Sequence, residues 1–167
     1  WVGWFGFNVG SNLEASSFTG LVFINTFVCT AAAALSWMIV EWIAKGKPSA
    51  LGLVSGVIAG LVAITPACGF SGVMGSIVLG LIVSPICFVF CSAIKSALGY
   101  DDSLDVFGIH GVGGILGALA TGILVNPDLG GTGIPDYISK PGELTTAAYD
   151  LATQLVAQFK GVGVTLL

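Results

Sequence analysis

The 167-residue chain has no arginine, a single histidine and only 8% charged residues. A soluble domain carries about 25% charge. With 55% hydrophobic residues and a mean hydropathy of +0.99, the composition is that of a membrane protein. The five lysines leave a net charge of −4, which excludes phosphate neutralisation and therefore nucleic-acid binding. The four cysteines, Cys29, Cys68, Cys87 and Cys91, lie in apolar surroundings without histidine or carboxylate partners at metal-ligand spacing, so they are expected to be small buried hydrophobes. No metal and no cofactor is expected. Nor is there an initiator Met, a basic leader or a cleavage site before Trp1. The chain ends on Val164-Thr165-Leu166-Leu167, expected to lie within a helix. It is therefore expected to be an internal piece of a longer membrane protein.

Glycine is abundant instead, at 25 residues without a collagen-like period. Gly52, Gly56 and Gly60 recur at every fourth place, as do Gly72, Ser76 and Gly80. Gly113 with Gly117, and Gly114 with Ala118 and Gly122, continue the pattern around the histidine. Such rows let membrane helices approach closely. The reading is an all-α, polytopic helix bundle with approximate helices at 1–11, 18–43, 49–64, 70–97, 103–125 and 144–167, forming a single transmembrane domain over 1–167. Thr65 to Gly69 breaks the third helix from the fourth, and Pro85 is expected to kink the fourth. Lys45, Lys47 and Lys95 fall on one side and Lys140 on the other. The excess of lysine on cytoplasmic loops then puts Ser11, Pro66 and Asn126 outside.

The chain is organised around 101–122. After Asp105 no formal charge appears until Asp128, so His110 stands inside an apolar helix. An ionisable side chain at membrane depth is costly and marks a functional site by default. A neutral imidazole offers one donor and one acceptor. The plainer account is a buried histidine bonded to a carbonyl or hydroxyl. Asp102 or Ser103 is expected to cap this helix and Asp105 to complement its dipole. A serine hydrolase built on Ser11 or Ser103 with His110 is disfavoured, because these serines belong to opposite ends of the bundle and a nucleophile must reach its base.

Three stretches carry a resemblance. Trp4-Phe5-Gly6-Phe7-Asn8-Val9-Gly10-Ser11, then Ala63-Ile64-Thr65-Pro66-Ala67-Cys68-Gly69, then Asp105-Val106-Phe107-Gly108-Ile109-His110-Gly111-Val112-Gly113-Gly114, in this order, resemble the ammonium transporter family, and its ammonium transporter branch more than the Rhesus-type channels. The resemblance implies eleven transmembrane helices in two inverted repeats, assembled as a trimer with one pore per subunit. This chain would be the second repeat, from the end of the sixth helix through part of the eleventh. It implies a substrate, ammonium with or without methylammonium, passing as ammonia with its proton moving separately. By the motifs, Trp4 and Ser11 would receive the cation, Phe7 would form one ring of a gate, and His110 with Val106 would line the pore. The implied partners are the lipid bilayer, two further copies, and a PII-type regulator at a tail beyond this chain. The implied location is the cell membrane, inner or plasma. The protein would not be an enzyme. An alternative of the same fold is an ammonium sensor with a fused signalling domain.

Overall fold

A computed structural model describes residues 1–136 and 145–167 of the chain. Helix α1 runs Val2–Gly10, α2 Ser17–Lys45, α3 Ala50–Ile64, α4 Val73–Leu98, α5 Phe107–Leu124 and α6 Leu151–Leu166. Three of these, α2, α4 and α5, are long and apolar enough to cross a membrane. The chain is thus a multi-pass helical membrane bundle. Among the described residues the extended structure is one short ribbon. Strand β1, Ile134–Asp136, pairs antiparallel with β2, Thr145–Ala147, Pro135 standing opposite Thr146. Lys140, expected on the side opposite the other lysines, lies outside the described residues.

The ends of the helices are set locally. The Ser16 N–H donates to Thr19 Oγ1 at 3.1 Å where α2 begins, and α2 stops at Gly46, whose φ of +79° suits a residue without a Cβ. Ser49 caps α3 by accepting from the Gly52 N–H at 2.9 Å. Asp150 caps α6 by accepting from the Thr153 N–H at 2.7 Å, so this helix starts at Leu151, after the ribbon, rather than near 144.

Helix α2 is the central post, with α3 and α4 packed on it; α5 lies on α3 and α4, and α6 on α5. Glycine makes the contacts close. A Cβ at Gly56 would stand 2.6 Å from Trp37 Cβ, and one at Gly60 2.7 Å from Ala33 Cβ. The fourfold glycine spacing in α3 is therefore the seam with α2. Cys29, Ala33, Ala59, Ala63, Val83 and Cys87 form the core, each fully buried. Glu41, only 4% exposed, ties the α2–α3 turn together. It accepts from the Ser49 N–H at 2.9 Å and Ser49 Oγ at 3.0 Å, and pairs with Lys45 at 3.1 Å.

Pro85 sits inside α4 and has no N–H for the Leu81 carbonyl one turn back. The Ser36 hydroxyl on α2 supplies the missing donor at 2.8 Å. Ser36→Ala is expected to leave that carbonyl unpaired and to cost about 1–3 kcal/mol, read as a lower melting temperature of the purified full-length protein.

Both α4 and α5 contain one widened turn in which the backbone ring closes five residues on, at Phe90–Ile94 and Phe107–Gly111. The second contains His110. Helix α5 starts at Phe107 rather than near Ser103, because residues 101–105 form a turn, the Asp105 N–H donating to the Asp102 carbonyl and Asp105 adopting φ +54°. Asp102 is not the cap residue itself. Its carboxylate reaches forward and accepts from the Phe107 and Gly108 N–H groups at 3.1 and 3.0 Å. Asp105, at the N-terminal end of the helix, pairs with Lys95 at 2.8 Å.

Candidate functional site

Helix α1 has two faces. Residues 1, 5 and 8 share one stripe and residues 4, 7 and 11 another, as 3.6 residues per turn requires. The first stripe binds α2. Trp1 stacks on Phe27 with centroids 5.5 Å apart, Phe5 on Phe23 at 4.3 Å, and buried Asn8 donates to Thr26 Oγ1 at 3.2 Å. The second stripe holds Trp4, Phe7 and Ser11. Trp4 and Phe7 meet edge to face at 5.8 Å and 73°.

The three residues of the second stripe are strung along the axis. Ser11 is at the helix end, Phe7 one turn in, and Trp4 another turn in, so Trp4 and Ser11 lie about 10 Å apart along the helix. Trp4 therefore lies one turn beyond Phe7 and two turns from Ser11. Its indole N–H donates to Thr65 Oγ1 at 2.8 Å. The Ser11 hydroxyl donates to the Phe7 carbonyl at 2.6 Å, leaving its oxygen lone pairs as acceptors. Ser11 also lines a cleft of about 870 Å³ with Asn8, Asn12, Glu14, Thr65 and Thr132. Thr132 closes that end by donating its N–H to the Phe70 carbonyl at 3.0 Å. Beneath it, fully buried Asn25 holds the 65–72 turn through the Cys68 and Ser71 carbonyls at 2.9 and 2.7 Å.

The second part of the site is on α5. His110 is exposed, as is Val106, at 51%, one turn earlier. Their neighbours on the other side of the helix, Gly108 and Ile109, are buried. The structure brings Trp4 and Phe7 into ring contact and places Val106 and His110 one turn apart on the same exposed face of α5, and among the described residues no hydrogen bond joins His110 to Trp4 or Ser11. Ser11 is engaged by Phe7 and not by His110, which leaves no serine–histidine pair there. Among the described residues no cluster of three or more His, Cys, Asp or Glu side chains could hold a metal.

Thr65 is part of this site, and the sequence analysis did not single it out. The signal available was its place in the Thr65–Gly69 break, but its partner is 61 residues away. The other unforeseen element is the cluster at the start of α5. Lys95 Nζ donates to the Asp102 carbonyl at 2.5 Å as well as pairing with Asp105. Burial pushes the Asp102 carboxyl up, but the N–H groups of Gly108, Phe107 and Val106 outweigh it and hold the carboxyl below its ordinary range. The stabilisation it gives is therefore present near neutrality and is lost as pH falls through that lowered value.

Helices long and apolar enough to span a membrane, packed on one another through glycine, define a polytopic helical membrane protein. Over residues 1–167 the chain matches the Ammonium Transporter Family, and it belongs to that family. It is 48% identical over 167 residues to an ammonium transporter of Aquifex aeolicus, covering 100% of this chain and 37% of that relative. It is 49% identical over 133 residues to an ammonium transporter of Bacillus subtilis, covering 80% and 33%. Among solved structures, Saccharomyces cerevisiae Mep2 superimposes with a TM-score of 0.83 at 31% identity, over 98% of this chain and 35% of that one. A structure described as a sensor Amt protein gives 0.81 at 31% identity, over 97% and 36%. The chain thus spans about a third of the length of these relatives.

Proposed function

We propose that the protein containing this chain is an ammonium transporter of the cell membrane, inner or plasma, and that this chain supplies one wall of its passage. The observation that carries the reading is His110 on the uncovered side of α5. An ionisable side chain does not face lipid at that depth without large cost. The relatives are nearly three times as long, enough chain to cover this side and enclose a passage.

The chemistry follows from the substrate. A bare cation in hydrocarbon costs tens of kcal/mol in the Born limit, on the order of what no single contact offsets. Ammonia has no such cost, and potassium has no proton to give up. A dry passage that admits only the neutral base selects ammonium over potassium. Ser11 has acceptor lone pairs for an N–H at the mouth. Phe7 obstructs the way behind it as one ring of the gate. Trp4, one turn beyond Phe7 and with its N–H taken by Thr65, presents its ring face to the neutral base that has passed the gate. His110 accepts or donates to the nitrogen in transit, with Val106 as apolar lining, and passes the proton on a separate route. The assembly is a homotrimer, and its further partner is a PII-type regulator.

The test is electrical. In proteoliposomes holding the full-length protein, an ammonium pulse should give a transient positive current and a potassium pulse none. Equal currents from both ions, or no ammonium current, would reject the reading. The likeness to the sensor Amt protein favours one alternative, an ammonium sensor of the same fold. A kinase or cyclase domain encoded downstream, together with ammonium binding but no current, would establish it.

A further inference from the structure

Helix α5 rests on α3 and α4 through a row of small residues. Gly108 faces Cys91, Gly113 faces Cys87 and Val62, Gly117 meets the Ala63 carbonyl, and Thr121 is buried. The steps along this row are five, four and four residues. At about 100° per residue, a step of four keeps two side chains within ~40° of one another, and a step of five separates them by ~140°. Gly108 and Gly113 could not both face α4 on a regular helix. The widened turn Phe107–Gly111 absorbs the additional residue. It is aligned with the widened turn of α4, which holds Cys91. His110, two residues beyond Gly108, is thereby carried to the opposite, exposed side.

The turn is held from below. Asp102 accepts from the N–H groups of Phe107 and Gly108, Lys95 grips the Asp102 carbonyl and the Asp105 carboxylate, and the Tyr100 ring lies edge-on to Phe107 at 5.7 Å. We propose that Gly108, seated on Cys91 by the widened turn, is a positioning residue for His110: the Gly108–Cys91 contact fixes the rotation of the first turn of α5 and so the direction of the imidazole. The proposal rests on the reading of the chain as the histidine-bearing wall of an ammonium transporter. Gly108 touches no substrate and acts through His110.

A Cβ at position 108 would stand 2.5 Å from Cys91 Sγ, while the next contact, the Cys91 backbone nitrogen, is at 3.3 Å. Gly108→Ala must therefore move the first turn, and Cys91→Ala should make room for it. The experiment uses full-length protein in proteoliposomes, with currents normalised to folded trimer. Gly108→Ala is expected to lower the ammonium current by about tenfold to a hundredfold and to admit potassium, as a small misplacement of a reacting group does. Adding Cys91→Ala should restore both current and selectivity. Loss of yield alone would not change ion selectivity. If Gly108→Ala does not fold, Asp102→Asn loosens the same turn without adding volume, and should weaken selectivity in the same direction. Unchanged selectivity in the variant that folds overturns the proposal, as does an unmoved His110 ring in its cryo-EM structure. An inactive wild type would reject the transport reading alone, since the ring position still decides this proposal.

Discussion

Full-length protein carrying His110→Ala should conduct ammonium at about a hundredth of the wild-type rate or less, because a positioned proton-transfer group contributes on the order of 10²–10⁴-fold. The second expected consequence is entry of potassium. The exposed imidazole is the one ionisable side chain in the apolar stretch between Asp105 and Asp128, so removing it takes away the proton-relaying group of this stretch. Water and hydrated cations then meet no requirement to part with a proton. The measurement is the ratio of ammonium to potassium current, with His110→Asn as a variant that keeps hydrogen bonding but cannot relay a proton. Unchanged currents and an unchanged ratio in His110→Ala would remove His110 from the mechanism.

A second large effect is expected at Gly117. A Cβ there would run into the Ala63 carbonyl oxygen and stand 2.8 and 2.9 Å from the Ala63 carbonyl carbon and Cα. These are backbone atoms in a fully buried stretch, Ala63 and Ile64 each being 0% exposed, and they cannot turn aside as a side chain end could. Gly117→Ala should therefore cost at the upper end of the about 1–3 kcal/mol of overpacking, and Gly117→Leu should abolish folded protein. Thermal unfolding in detergent and the yield of trimer check the pair. A Gly117→Leu variant with wild-type stability would mean that α3 and α5 do not approach as described.

Much of the bundle is written in residue spacing. The fourfold glycines of α3 could be read as a seam because one helix turn is nearly four residues, and the structure lays that seam on α2. The uncharged run from Ala15 to Val40 could be read as a span for the same reason. The widened turn at His110 was harder. Its trace is the five-residue step between Gly108 and Gly113, which has meaning only once Cys91 and Cys87 are known to face them. The role of Glu41 as a buried clasp could not be read from spacing, since its partner Ser49 lies beyond the turn. The Trp4–Thr65 bond could not be read locally at all, because side-chain partners on different helices leave no mark in spacing. The ribbon at 134–136 and 145–147 was missed because three-residue strands leave too little alternation to detect.

The two stacked ring pairs and the Asn8–Thr26 bond bolt α1 to α2 along one side. A helix mounted in this way is a poor hinge. What freedom Phe7 has is spin about its own side-chain bonds, and partly exposed rings turn over in picoseconds to nanoseconds, whereas swinging a whole helix takes microseconds to milliseconds. In the passage proposed above, Phe7 would then be a flickering shutter on a fixed frame, cleared by rotation of its own side chain rather than by rocking of the bundle.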